Sequence, residues 1–215
     1  MEPSHARRYT KAEIEVIAAQ ILSKAYPTGI NIPIEIDLLA ERNELVDDIV
    51  PIELLEDKFG VAAVLISKSN EHFDIFVDED QFNYRQPRAS YSIAHELGHI
   101  VLHSGVCEGC RTIEDSIALR NRITGVYHSI ERSANYFSGA ILMPRRAFPE
   151  DTAKIYEALV REYSYDNNII PDKLCSTLAQ RYGVYIPPVK IRLRELNLQR
   201  KIETALRLSS PYLDP

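Results

Sequence analysis

His95-Glu96-Leu97-Gly98-His99 lies in a run where Ile93, Ala94, Leu97, Ile100, Val101 and Leu102 make a helix apolar around much of its circumference. Such a helix is buried, and a buried imidazole needs a partner. The spacing places His95 and His99 one turn apart on the same face, near enough to share one metal ion, with Glu96 beside it. The rest of the chain must therefore close around this helix and bring a further ligand to the two histidines. At 215 residues, 45% hydrophobic and 26% charged, the chain is of a size and composition that can supply such a core.

A catalytic zinc site usually has three protein ligands and one position left for water. His103 continues the four-residue series, but eight residues at ~1.5 Å each separate it from His95 by about 12 Å along the axis. That is too far for both to converge on one ion, so His103 is expected to support a ligand or to pack in the core. The longer zincin pattern, with a third histidine after a glycine, is absent because Leu102 and Gly105 occupy its diagnostic positions. The third ligand should come from another helix. Ile130, Ala134, Phe137, Ala140 and Ile141 repeat at helical spacing until Pro144 stops them, and Glu131 on this helix is best placed by pattern. A solvated carboxylate near a helix start is the plainer reading of Glu131, and His128 is a rival ligand three residues earlier.

Upstream, Thr10 with Glu13 reads as a capping box opening a first helix that runs up to Tyr26. Pro27, Gly29 and Pro33 mark a loop, Ile36 to Arg42 a short helix, Leu45 to Val50 a strand, and Pro51 to Gly60 a short helical run. Val61 to Ser67 and His72 to Asp78, separated by the polar turn Lys68-Ser69-Asn70-Glu71, predict a β-hairpin. Gln81 to Pro87 reads as a loop, Ala89 to His103 as the metal helix, and Val106 to Tyr127 as an unpatterned connection. Pro144 to Phe148, Thr152 to Tyr163, Pro171 to Tyr182 and Pro187 to Leu196 read as further helices. Residues 1–165 are expected to form the metal-binding domain and residues 166–215 a C-terminal helical segment.

The longest apolar stretches, such as Val61 to Ile66, fall far short of the ~20 residues that cross a bilayer. With no apolar signal region after the charged N-terminus and only 3 cysteines, the chain is expected to work in the cytosol. Cys107-Glu108-Gly109-Cys110 lacks two further ligands for a structural zinc and reads as ordinary thiols, with a redox switch as the alternative. The net charge of −6 argues against a protein devoted to nucleic acid. Its distribution is uneven: residues 35–80 carry 14 acidic against 3 basic side chains, whereas residues 186–208 carry 6 basic against 2 acidic. Leu178-Ala179, Gly183-Val184 and Val189 have helix-turn-helix spacing, equally suited to a packed helical hairpin, and Pro187-Pro188 stiffen the start of its second helix.

His95 to His99 with Ile100-Val101-Leu102-His103, then Glu131-x-x-Ala134-Asn135-x-Phe137 and Leu142-Met143-Pro144, resembles the ImmA/IrrE-type metallopeptidase family. Ile34 to Glu41, Phe59-Gly60-Val61, Val77-Asp78 and Arg88 ahead of Tyr91-Ser92-Ile93-Ala94 are similar to its lead-in, and Leu178-Ala179-x-x-Tyr182-Gly183-Val184 to its tail. The resemblance implies an α+β, zincin-like fold with a small sheet beside the metal helix. It also implies Glu131 as the third ligand to zinc or another divalent metal, and proteolysis of a protein substrate, a DNA-binding repressor. Many members carry a DNA-binding repressor module ahead of this region, and a built-in module of that kind is not expected here.

The chemistry expected of such a site gives Glu96 the role of general base, with Asn135 orienting Glu131. Tyr127, His128, Tyr156 and Tyr165 stand as candidates for stabilising the oxyanion. No membrane partner is expected, and direct nucleic-acid contact would run through the C-terminal segment. The competing reading is a non-proteolytic, metal-containing regulator that binds a partner protein or DNA. Glu96 separates the two, because a structural metal has no need of a base beside an open position.

Overall fold

The computed structural model describes residues 7–69, 72–121 and 125–209. It is an α+β chain that divides into two compact units, residues 1–142 and 143–215. No helix among the described residues is long and apolar enough to cross a membrane.

The first unit holds one three-stranded sheet. Strand β1 (Val46–Ile52) runs parallel to the central β3 (His72–Asp78), and β2 (Ala63–Ser69) pairs antiparallel with β3, giving the order β1-β3-β2. The hairpin expected from the β-branched runs is present, although residues 70 and 71 of its turn lie outside the described residues. Ala63 to Ile66 of β2 and Phe73 to Ile75 of β3 are buried without alternation, so the sheet is covered on both faces. Pro51 does not start a helix: it lies in β1, an edge strand where a missing N–H is tolerated.

Helix α1 (Lys11–Ala25) opens with the expected capping box: Thr10 Oγ1 accepts from the Glu13 N–H at 3.2 Å, while Glu13 Oε2 accepts from the Thr10 N–H at 2.8 Å. Helix α2 (Ile36–Glu41) follows, and α3 (Leu55–Phe59) closes on Gly60 in the left-handed region. The segment expected as a loop after β3 is instead α4 (Glu79–Tyr84), because the Asp78 carboxylate caps it through the Gln81 N–H. The same carboxylate accepts from the Glu56 N–H, and the Glu56 carboxylate in turn accepts from Gln81 Nε2 and from the Arg88 guanidinium. This network fixes the end of β3 to the start of α5 (Gln86–Cys107), the helix that carries both histidines. The α5 backbone breaks at His103 and resumes to Cys107.

The unpatterned connection after α5 contains a helix, α6 (Ile113–Arg120), opened by a Thr112–Asp115 capping box. Helix α7 (Gly125–Leu142) completes the unit and packs along α5. Among the described residues the second unit holds α8 (Ala147–Tyr163), α9 (Ile170–Tyr182), α10 (Ile186–Glu195) and α11 (Leu198–Ser209), the last of which was not expected from the sequence. Leu178, Ala179, Val184 and Val189 are all buried, so the helix-turn-helix spacing is the core of the α9–α10 hairpin. Arg192, counted above with the basic tail, is fully buried, and its Nε donates to the Met143 carbonyl at 3.0 Å. The outward charge of that tail is correspondingly smaller.

Candidate metal centre

Three side chains from two helices converge. Glu131, from the first half of α7, places its carboxylate oxygens 3.2 Å from His95 Nε2 and 3.2 Å from His99 Nε2. The two Nε2 atoms are themselves 3.0 Å apart, and one ligand atom from each of the three residues lies within 4.8 Å of the others. Ligand atoms at 2.0–2.1 Å from a tetrahedral zinc are separated by about 3.3 Å, so this donor set fits a small divalent ion. Burial alone would raise the Glu131 pKa, but its bonds to His95 and His99 outweigh that and hold the carboxyl far below the usual range. The residue therefore presents an ionised carboxylate.

Gly98 permits this meeting. A Cβ there would stand 3.1 Å from the Ala134 Cα and 3.2 Å from its carbonyl oxygen, so a glycine is what lets α5 lie close enough to α7 for Glu131 to reach both rings. Both Ala134 atoms are backbone and cannot rotate away, and Phe137 Cδ1 would stand at 3.1 Å beside them. Gly98→Leu is expected to destabilise the protein by about 1–3 kcal/mol through overpacking and to lower metal affinity by moving Glu131 outward. Chemical denaturation and metal titration of the variant check both effects.

Glu96 is 2% exposed and sits beside the cluster. Its Oε1 accepts a 2.6 Å bond from Arg120 Nη2, which also donates to the Ala63 carbonyl at 3.3 Å. Arg120 was not anticipated: it ends a short helix hidden in the unpatterned stretch. Glu96, His99, Glu131, Leu65, Ser116 and Arg120 line a cavity of about 20 Å³, little more than the ~10–15 Å³ that one water requires.

The remaining residues singled out in the sequence take varied places. His128 is exposed and outside the cluster. Asn135 Nδ2 bonds the Glu131 main-chain carbonyl at 2.9 Å, so its amide supports the helix rather than directing the carboxylate. Tyr127 is buried and lines the same cavity, whereas Tyr156 and Tyr165 belong to the second unit. Cys107 and Cys110 are reduced and 1% and 2% exposed, and burial pushes the Cys107 thiol well above its usual pKa. Both features oppose thiolate chemistry.

His103 is buried with its ring edge against Tyr9, centroids 5.4 Å apart, and its Nε2 has no hydrogen-bond partner. Burial is the main reason its pKa falls to about 4, with the neighbouring His99 second. The folded chain thus holds this imidazole neutral, while the unfolded chain takes up a proton near 6.5. Between those values the unfolded state binds more protons, so stability rises with pH. This contribution is complete above about pH 6.5 and is lost as pH falls towards 4. Denaturation midpoints across this range should be flatter in His103→Phe than in the parent.

The profile of a peptidase family, Peptidase_M78, described as the IrrE N-terminal-like domain, matches residues 52–194. No curated protein matches the chain.

Proposed function

The chain belongs to the IrrE N-terminal-like peptidase family, and from that premise we propose that it is a cytosolic, zinc-dependent endopeptidase with a narrow regulatory substrate, a helix-turn-helix repressor. The observation that carries the reading is a buried carboxylate, Glu96, beside the meeting point of His95, His99 and Glu131. Three protein ligands leave one position open. His95, His99 and Glu131 would hold the ion, which when bound supplies Lewis acidity to the scissile carbonyl and acidifies a coordinated water. Glu96 accepts the proton of the attacking water and returns it to the leaving amine. Tyr127, lining the cavity, is the oxyanion donor favoured by position among the four named above.

A cavity this small suits a protease that does not digest proteins at large. Co-expression with helix-turn-helix repressors from the source genome should yield a discrete repressor fragment with the parent protein and none with Glu96→Gln. One observation favours a second reading: the Arg120 bond occupies a Glu96 oxygen, as in a structural ion pair. A non-proteolytic regulator of that kind would relieve repression equally well with Glu96→Gln, and no fragment would appear.

A further inference from the structure

Strand β2 is an edge strand. Ser67 and Ala63 direct their main-chain groups away from β3, and an edge of this kind is a template for an incoming extended segment. In this protein the edge is already occupied, and by chain that forms no strand. The Ser67 N–H donates to the Cys110 carbonyl at 2.7 Å. Arg111 Nη1 donates to the Ser67 carbonyl at 3.1 Å and to the Lys68 carbonyl at 2.7 Å. Arg120 takes the Ala63 carbonyl at the other end of the strand and, with the same nitrogen, the Glu96 carboxylate. Helix α6 bridges these anchors, and Ser116 and Leu119 press into the cavity beside His99 and Glu131.

The cavity these side chains bound has room for about one water. An extended segment cannot pair with the outward main-chain groups of Ser67 and Ala63 while Cys110, Arg111 and Arg120 hold them. The geometry points to residues 110–120 being a displaceable strap that holds the place of an extended polypeptide on β2 and latches the base through Arg120. This inference rests on the peptidase reading above. The ligand class is an extended peptide whose main chain replaces the contacts of Cys110 and Arg111 on Ser67. Every such peptide must first open the strap, so its apparent affinity is reduced by the fraction of molecules in which the strap is open. A small metal ligand does not meet that penalty. The strap is thus a selectivity device: a substrate is cut only if its binding exceeds the cost of lifting α6.

The test uses the zinc-loaded full chain and two probes with the same metal-binding head, acetohydroxamate and a set of tripeptidyl hydroxamates. Arg111→Ala removes two strap anchors without touching the metal ligands or Glu96. It should tighten the best tripeptidyl hydroxamate by about tenfold or more, the worth of one charge-assisted hydrogen bond, and leave acetohydroxamate unchanged. Arg111→Lys, which keeps a cation for the same carbonyls, should move the value back towards the parent. In the parent, saturating tripeptidyl hydroxamate should raise amide exchange across α6 while the Ser67 amide stays protected by its new partner. Equal peptide affinity in parent and Arg111→Ala, tripeptides that bind no better than acetohydroxamate in either protein, or peptide binding with α6 protection unaltered would each overturn the strap. Failure of acetohydroxamate to bind any zinc-loaded form would instead remove the open metal position, and with it the peptidase reading itself.

Discussion

Glu96→Gln is expected to lower substrate cleavage by about 10²–10⁴-fold, the usual contribution of a positioned general base, while leaving one metal ion per chain. The amide keeps the shape of the side chain and its carbonyl can still accept from Arg120. It can no longer take a proton from water. The ligand atoms of His95, His99 and Glu131 are untouched by the change, so metal content separates a chemical defect from a collapsed site. Some loss of stability accompanies the substitution, because the Arg120 cation loses its ionic partner. Arg120 is 28% exposed in its side chain, so water relieves part of that loss and about 1–2 kcal/mol is expected rather than the 3–5 of a fully buried pair. Cleavage assays at a temperature well below the unfolding of the variant, combined with metal analysis, check the prediction. A variant that holds metal, remains folded and cleaves at the parental rate would remove Glu96 from the mechanism.

The parts of this site that could be read in the sequence are those whose geometry is local. His95 and His99 meet because four residues make a helical turn, and the Thr10 cap and the β2–β3 hairpin likewise depend on neighbours in sequence. The meeting of Glu131 with both rings is not local. It depends on Gly98, which looks like an idle position between the histidines but sets the distance between α5 and α7. The parallel pairing of β1 with β3 is similarly invisible to periodicity, since it joins strands separated by β2.

Helix α6 escaped for a different reason. Its eight residues, Ile113–Arg120, mix apolar and charged side chains and bury only Ser116 deeply, so no clear apolar stripe marks it. The signal that could have found it is Thr112 followed three residues later by Asp115, a capping box with aspartate in the place of the commoner glutamate. Asp78 ahead of Gln81 could have revealed α4 in the same manner. Missing α6 meant missing Arg120, and with it the contact on the Glu96 carboxylate. The short polar segments that pattern reading discards as loops therefore hold the contacts to Glu96, while the apolar helices carry His95, His99 and Glu131.

Removal of a ligand should have the largest effect on the protein as a metal-binding molecule. Parent protein, stripped with chelator and titrated with zinc, is expected to bind about one ion per chain. With free zinc at ~100 times the dissociation constant, linkage adds about 2.7 kcal/mol, which for a unit of this size raises the unfolding temperature by roughly 5–10 °C. Glu131→Ala should weaken binding by more than the ~10–100-fold typical of outer partners of a metal site, and the zinc-induced rise should disappear at the same concentration. His128→Ala should keep the whole rise, because that ring is exposed and stands apart from the cluster. The metal-free variant also distinguishes a ligand from a buried counter-ion. In the parent without zinc, Glu131 is held ionised by His95 and His99, so its loss destabilises the metal-free protein as well as abolishing the response to zinc. Binding should weaken as pH falls, since the imidazoles must give up protons before they can coordinate. A full zinc-induced rise in Glu131→Ala, with its loss in His128→Ala, would transfer the third ligand to the rival histidine and require α7 to turn from the orientation that packing at Gly98 imposes.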